Sequence, residues 1–270
     1  MVFVGLGLCD EKGLSLRGLE VLKEVDEVFA EFYTSLMPSL SVQRLEQLLG
    51  KAISVVSRRV LEEERGGEIL DAAREGRAAF LVPGDPLIAT THVDLRVRAE
   101  RMGIRTWIVH GASVVSAVVG LSGLQNYRFG RSVTVPFRDG GFVSETPYGV
   151  ILENRERGLH TLCFLDVKAE EERYMSVKEG VQALLEVEKK RGEDVVTLEG
   201  LVVGVARAGS DDAVVKAGCV RDMVGYEFGG PPHSLVFPSR LHFMEAEALI
   251  VLAGAPEKDA RRLVERRLRS

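Results

Sequence analysis

Apolar residues in the first 125 positions fall into two patterns. Mostly apolar runs at residues 2–6, 27–32, 53–56, 78–82 and 106–109 fit buried strands, which show little alternation when both faces are covered. Between them lie segments with helical spacing. Residues 16–25 place Leu16, Leu19 and Leu22 about one turn apart behind a capping Ser15. Residues 42–49 put Leu45, Leu48 and Leu49 on one face. Residues 62–75 read as a single charged helix and residues 93–102 as another. Strand and helix in regular succession predict a parallel sheet with helices on both faces.

The regularity loosens after Leu124. Residues 125–146 are rich in Gly, Arg, Phe and polar residues, with Gly140-Gly141 at a turn. The junction is therefore placed around residues 111–128, giving domains at 1–115 and 116–270. Thr146-Pro147 predicts a helix start, with Thr as cap and Pro in the first position. Residues 161–165 and 201–206 read as strands, and 177–190 as an amphipathic helix. Residues 214–220 and 235–237 look like shorter antiparallel strands. Helices at 241–253 and 257–268 close the chain. The arginines near the end of the last one suit the negative pole of a helix.

Composition narrows the function classes. The chain has 270 residues, a formal charge of −5 and a pI near 5.7, a poor match for a nucleic-acid partner. No apolar run approaches the roughly 20 residues needed to span a membrane, and no secretory leader is visible. Cys9, Cys163 and Cys219 are odd in number and widely spaced, which predicts buried thiols in a reducing compartment, the cytoplasm. His92, His110, His160, His233 and His242 show no metal-ligand spacing, so no metal is expected. His242 and Glu245, one turn apart, read as a surface pair.

The most informative stretch is Pro83-Gly84-Asp85-Pro86-Leu87-Ile88-Ala89-Thr90-Thr91-His92. It joins a predicted strand to a predicted helix, at the edge where open α/β sheets bind ligands. Gly84 permits close backbone approach, and Asp85 offers a carboxylate to a cationic or donor-rich ligand. The plainer alternative is an ordinary turn whose Asp85 helps to cap the helix. Gly5-Leu6-Gly7 follows the first strand as a dinucleotide fingerprint would, but Asp10 stands where the third glycine belongs. After the strand at 106–109 comes His110-Gly111-Ala112-Ser113-Val114, in which Ser113 is placed to cap a helix.

These segments together resemble the tetrapyrrole methylase superfamily, and most closely its diphthine synthase branch. The resemblance runs along nearly the whole chain. It is carried by Phe3-Val4-Gly5-Leu6-Gly7-Leu8, Val28-Phe29-Ala30-Glu31-Phe32-Tyr33-Thr34-Ser35 and the Gly-Asp-Pro loop with its Thr-Thr-His tail. It continues through residues 157–162, Phe164-Leu165-Asp166-Val167-Lys168-Ala169, Ala206-Arg207-Ala208-Gly209-Ser210 and Pro231-Pro232-His233.

The resemblance implies two α/β domains, the first with a parallel sheet and the second with a mixed one, and a cleft between. It implies S-adenosylmethionine as a consumed methyl donor, held by Leu8, Asp85, Ile88, Ser113 and Val114 from the first half and by Leu165, Ala208 and His233 from the second. His233 follows two prolines, so its backbone is the expected contact. The implied acceptor is the amino group of an aminocarboxypropyl chain on a histidine of translation elongation factor 2, trimethylated to diphthine. A homodimer is implied as well. No side chain is assigned as a base. The alternatives are a corrin or porphyrin precursor methylase of the same superfamily, for which Arg128, Arg131 and Arg138 would meet carboxylates, and a non-catalytic binding module.

Overall fold

The computed structural model describes residues 1–138 and 140–264. The chain forms two compact units: Met1–Val114 with Val167–Arg173, and Val115–Asp166 with Tyr174–Ser270. The expected division into two contiguous stretches contained no such return of the chain.

The first unit runs β1 (Val2–Gly5), α1 (Leu16–Glu24), β2 (Glu27–Ala30), α2 (Val42–Leu49), β3 (Ser54–Val55), α3 (Arg58–Glu62), α4 (Gly67–Glu75), β4 (Ala78–Val82), α5 (Val93–Arg101) and β5 (Trp107–Val109). All the strand pairs of its five-stranded sheet are parallel, in the order β3-β2-β4-β1-β5. Side chains alternate across the sheet. Phe3, Phe29 and Phe80 join Ile69, Leu70 and Leu95 in one core, while Val2, Val4, Val28 and Leu81 join Leu22, Leu45 and Leu49 in another. One face therefore packs against α4 and α5 and the other against α1 and α2, which is why the strands read as continuous apolar runs.

Two local expectations need correction. The helix expected over 62–75 begins only at Gly67, and a separate short helix, α3, precedes it, because Arg65 and Gly66 adopt left-handed backbone (φ 60 and 63) between α3 and α4. Leu16 and Leu48 do not belong to the core. Leu16 is 81% exposed and Leu48 41%, whereas Leu22, Leu45 and Leu49 are buried. Ser15 caps α1 as predicted, accepting from Gly18 N at 3.0 Å.

The second unit starts within α6 (Val114–Ser122). It continues with β6 (Val133–Val135), α7 (Thr146–Glu156) and β7 (Thr161–Leu165). The stretch Val167–Arg173, which belongs to the first unit, then carries the short strand β8 (Val167–Lys168) and the start of β9 (Arg173–Tyr174), which pair with each other. Then come α8 (Val177–Arg191), β10 (Leu201–Ala206), β11 (Val214–Cys219), α9 (Val220–Gly225), β12 (His233–Phe237), α10 (Phe243–Ala253) and α11 (Glu257–Arg262). Its sheet, β11-β10-β12-β7-β6, is mixed: only β6 and β7 run parallel. The strand β6 and the helix α9 had no clear signal in the sequence. Residues 265–268 of the expected last helix lie outside the described residues, and the helix that is described ends at Arg262.

Glu245 is not a surface residue. It is fully buried at the start of α10, where Oε1 accepts from His160 Nε2 at 3.0 Å and Gln125 N at 2.8 Å. Its Oε2 accepts from His242 N at 2.8 Å and lies 3.1 Å from Arg128 Nε. Burial alone would raise its pKa, but the hydrogen bonds, that from His160 foremost, hold the carboxyl below its usual range. His160 Nδ1 accepts from Ser239 N at 3.0 Å, so both ring nitrogens are used.

In the first unit a second buried acid sits beneath the Gly-Asp-Pro loop. Glu31, fully buried just after β2, accepts from Tyr33 N at 2.9 Å, Thr34 N at 3.0 Å and the Thr34 hydroxyl. Burial outweighs these bonds and raises its pKa. His92, 3% exposed, stands 3.9 Å from Glu31 and directs Nδ1 to the Pro86 carbonyl at 3.3 Å. Thr90 donates its hydroxyl to the same carbonyl at 3.0 Å. The Ala-Glu-Phe-Tyr-Thr-Ser and Thr-Thr-His runs thus meet under the loop and fix its far end.

Burial pushes the His92 pKa down to about 4, so the imidazole is neutral in the fold at neutral pH. Between its ordinary value near 6.5 and 4 the unfolded chain takes up a proton that the folded chain refuses. Stability is lost over that window as pH falls, by up to ~3 kcal/mol at 1.36 kcal/mol per unit. Glu31, with its raised pKa, acts in the opposite direction: acidification relieves a buried charge. Glu31→Gln should therefore lose stability more steeply than the parent from pH 6.5 to 4, and His92→Gln less steeply. Denaturant unfolding across that range measures both, and parallel curves for all three proteins would refute the account.

Candidate active site

Three strand ends of the first sheet meet at its carboxyl edge: β4, β1 and β5. Their backbones lie too close for side chains. A Cβ on Gly5 would sit 2.5 Å from Gly84 O and 2.6 Å from Gly111 N, and one on Gly111 would sit 2.3 Å from Gly84 O. Gly7 and Gly84 form an antiparallel bridge, with Gly84 N donating to Gly7 O at 2.7 Å and Gly7 N to Gly84 O at 3.2 Å. Both have positive φ, 78 and 73, which favours glycine. The connection from β1 leads across β4 to β2, and that from β4 leads across β1 to β5. Loops therefore leave this edge in opposite directions, the topology at which open α/β sheets hold ligands.

Asp85 is 6% exposed. Its Oδ1 accepts from Leu87 N at 3.1 Å, which shapes its own loop, and the N-cap position of α5 belongs to His92 instead. The capping reading of Asp85 is thereby replaced. Its Oδ2 lies 2.7 Å from Nδ1 of His110, whose side chain is 74% exposed. A buried carboxylate thus orients a solvent-facing imidazole at the ends of β4 and β5. Each carboxylate oxygen keeps a further lone pair for a ligand.

The other positions expected in this half are local to the same loops. Leu8 is half-buried just beyond Gly7. Ile88, 47% exposed, follows Asp85 and donates its N–H to the Asp85 carbonyl at 3.4 Å. Ser113 and Val114 are half-buried at the start of α6. Beside Gly84 there is open space, since a Cβ there would find only Ala112 O, at 3.9 Å. A glycine edge with open space, an apolar side chain and a carboxylate fits a nucleoside-bearing sulfonium.

In the second unit, Leu165, Ala208 and His233 share one edge of the mixed sheet. His233 begins β12 opposite Ala206, the last residue of β10, and Leu165 ends β7 one position beyond the Phe164–Ser234 pair. Ala208 is buried in the turn after β10, next to Gly209 (φ 90). The His233 ring is fully engaged. Nε2 meets Gly230 O at 3.0 Å, and Nδ1 accepts from Val177 N at 3.3 Å. Burial pushes its pKa down, against the pull of the Gly230 and Gly229 carbonyls. Pro231-Pro232 is cis, and Arg207 N donates to Pro232 O at 2.8 Å. Arg207 Nη1 ties the turn to Phe228 O at 2.8 Å and Gly230 O at 2.7 Å.

Sequence reasoning weighed His110 only as a metal ligand and missed its pairing with Asp85. A signal existed: a histidine directly after a strand and before a glycine, at the same sheet edge as the acid. Among the described residues no group of three His, Cys, Asp or Glu is arranged to hold a metal ion. No described helix is long and apolar enough to cross a membrane.

Comparison with known proteins places the chain. The family profile of tetrapyrrole (corrin/porphyrin) methylases matches residues 1–223. A diphthine synthase of Methanosarcina mazei is 50% identical over 263 residues, 96% of this chain and 97% of its own. One from Methanothermobacter thermautotrophicus is 41% identical, covering 98% and 99%. A crystal structure of diphthine synthase superposes with a TM-score of 0.86 at 41% identity, covering 96% of this chain and 98% of that one. With an all-parallel first sheet, a mixed second sheet and full-length similarity, the chain belongs to the tetrapyrrole methylase family and, within it, to the diphthine synthases.

Proposed function

We propose that this methyltransferase moves methyl groups from S-adenosylmethionine to the amino group of an aminocarboxypropyl-histidine on translation elongation factor 2, and that three transfers give diphthine. The carrying observation is identity of 50% to a diphthine synthase over 96% of the chain. The chemistry asks little of the protein beyond alignment. A sulfonium makes its methyl group electrophilic, so a neutral amine in line with the C–S bond is enough for displacement.

The donor contacts proposed in the first unit are Leu8, Asp85, Ile88, Ser113 and Val114. In the second unit they are Leu165, Ala208 and His233. Within each unit these residues gather at one sheet edge. His233 contributes backbone, since both ring nitrogens are already bonded. The proposed assembly is a homodimer working in the cytoplasm. Leu16 and Leu48, exposed on α1 and α2, offer apolar surface for a two-fold contact.

Three outcomes are expected. Elongation factor 2 carrying the aminocarboxypropyl precursor, incubated with protein and donor, should gain three methyl groups by mass spectrometry; an unmodified factor rejects the acceptor. Asp85→Ala should weaken donor binding by more than about 1 kcal/mol, the scale of a hydrogen bond to a charged group. Calorimetry with unchanged affinity would remove Asp85 from the donor site. In sedimentation the protein should run as a dimer at micromolar concentration, and a monomer would reject the assembly.

A further inference from the structure

An aliphatic amine carries a proton at neutral pH, and a protonated nitrogen has no lone pair for a methyl group. Each of three successive transfers to one amine therefore needs a proton to leave first: from the ammonium, then the methylammonium, then the dimethylammonium. Bulk water accepts such protons poorly near pH 7, and a positioned base accelerates this kind of step by about 10²–10⁴.

His110 has the geometry of that base. Its Nδ1 is 2.7 Å from the Asp85 carboxylate, which is 6% exposed, while the imidazole itself is 74% exposed. With Nδ1–H donating to Asp85, Nε2 carries the lone pair and faces outward. A carboxylate that fixes the tautomer of an accessible imidazole is the arrangement by which hydrolytic triads hold their base. The backbone makes the arrangement rigid. His110 is locked between Val109 of β5 and Gly111, whose backbone lies against Gly5 and Gly84, and Asp85 follows Gly84 directly. Asp85, from the loop after β4, is the charged group placed against the ring. Gly5, Gly84 and Gly111, whose backbones meet at this edge, and Ala112 beside Gly84 carry no charge.

We propose that His110 is the proton acceptor for amine methylation and Asp85 its positioning residue. The proposal rests on the amine-acceptor reading above. In each cycle Nε2 takes a proton from the acceptor nitrogen. The freed lone pair forms the new N–CH3 bond as the donor's S–CH3 bond breaks, and the sulfonium becomes a neutral thioether. His110 then passes its proton to solvent, which its exposure allows. After the third transfer the nitrogen has no N–H left and the sequence stops.

His110→Asn is the test. Its side-chain amide can still donate to Asp85 from about the position of Nδ1, but it has no group in place of Nε2. The rate of the first transfer to precursor-bearing elongation factor 2 is read at saturating donor from pH 6 to 9.5, beside donor affinity by calorimetry. The expected result is a loss of at least about tenfold at pH 7 that shrinks as pH rises and the amine deprotonates unaided. Donor affinity should stay within about twofold, since the Asp85 loop is kept. His110→Ala should regain rate with added imidazole. A parental profile, a loss equal at every pH, or a loss confined to donor affinity would overturn the assignment. Parent enzyme that methylates the factor while the variant keeps the parental profile rejects His110 alone. Parent enzyme that leaves the factor unmodified rejects the acceptor reading, and this assignment with it.

Discussion

Everything distinctive about the first unit depends on three backbones meeting without side chains. Gly5, Gly84 and Gly111 approach so closely that a Cβ on Gly5 or Gly111 would fall 2.3–2.6 Å from a neighbouring backbone atom. At that distance a neighbour must shift, and here the neighbours are themselves strand ends that cannot move without loosening the sheet. The glycines therefore do more than permit a turn. They draw the loops after β1, β4 and β5 into one edge and bring an acid and an imidazole 25 residues apart to 2.7 Å.

Among the described residues each unit buries one glutamate completely, and the two are managed in opposite ways. Glu245 receives charge-assisted and backbone hydrogen bonds and stays ionised, tying α10 to the strand edge through His160 and to the start of the unit through Gln125. Glu31 has only local donors from Tyr33 and Thr34 with Arg58 nearby, and burial wins. Its neighbour His92 is held neutral by the same burial and grips the Pro86 carbonyl. The first acid serves the architecture of its unit. The second belongs to the support of a functional loop, which explains why its residues occur as two specific runs rather than as ordinary core.

Local pattern was a good guide where burial is periodic. The helix at Val42–Leu49 and the strands Ala78–Val82, Thr161–Leu165 and Leu201–Ala206 match their expected bounds. It failed where backbone conformation or partner choice decides. The charged segment after residue 58 is rich in helix formers, yet it breaks at Arg65-Gly66, where both residues turn left-handed and the Gly66-Gly67 pair makes that break cheap. The strand β6 is three residues long and exists because β7 offers it a parallel ladder. His242 and Glu245 look like a solvated pair by spacing, but Glu245 is turned inward by two hydrogen bonds from other segments, one from its own cap and an ion pair with Arg128.

By itself the sequence determined most of the succession of elements, because burial on one face or two leaves a period that neighbouring residues carry together, and its specific runs carried the resemblance to the family. Its glycine and proline punctuation also marked the loop that matters. Which carboxylate would meet which imidazole was decided only in three dimensions. Asp85 finds His110, and Glu31 comes to His92, because β4 lies between β2 and β1 and β1 between β4 and β5. Strand order and register are properties of the whole sheet, set by packing on both faces, and no local window of residues contains them.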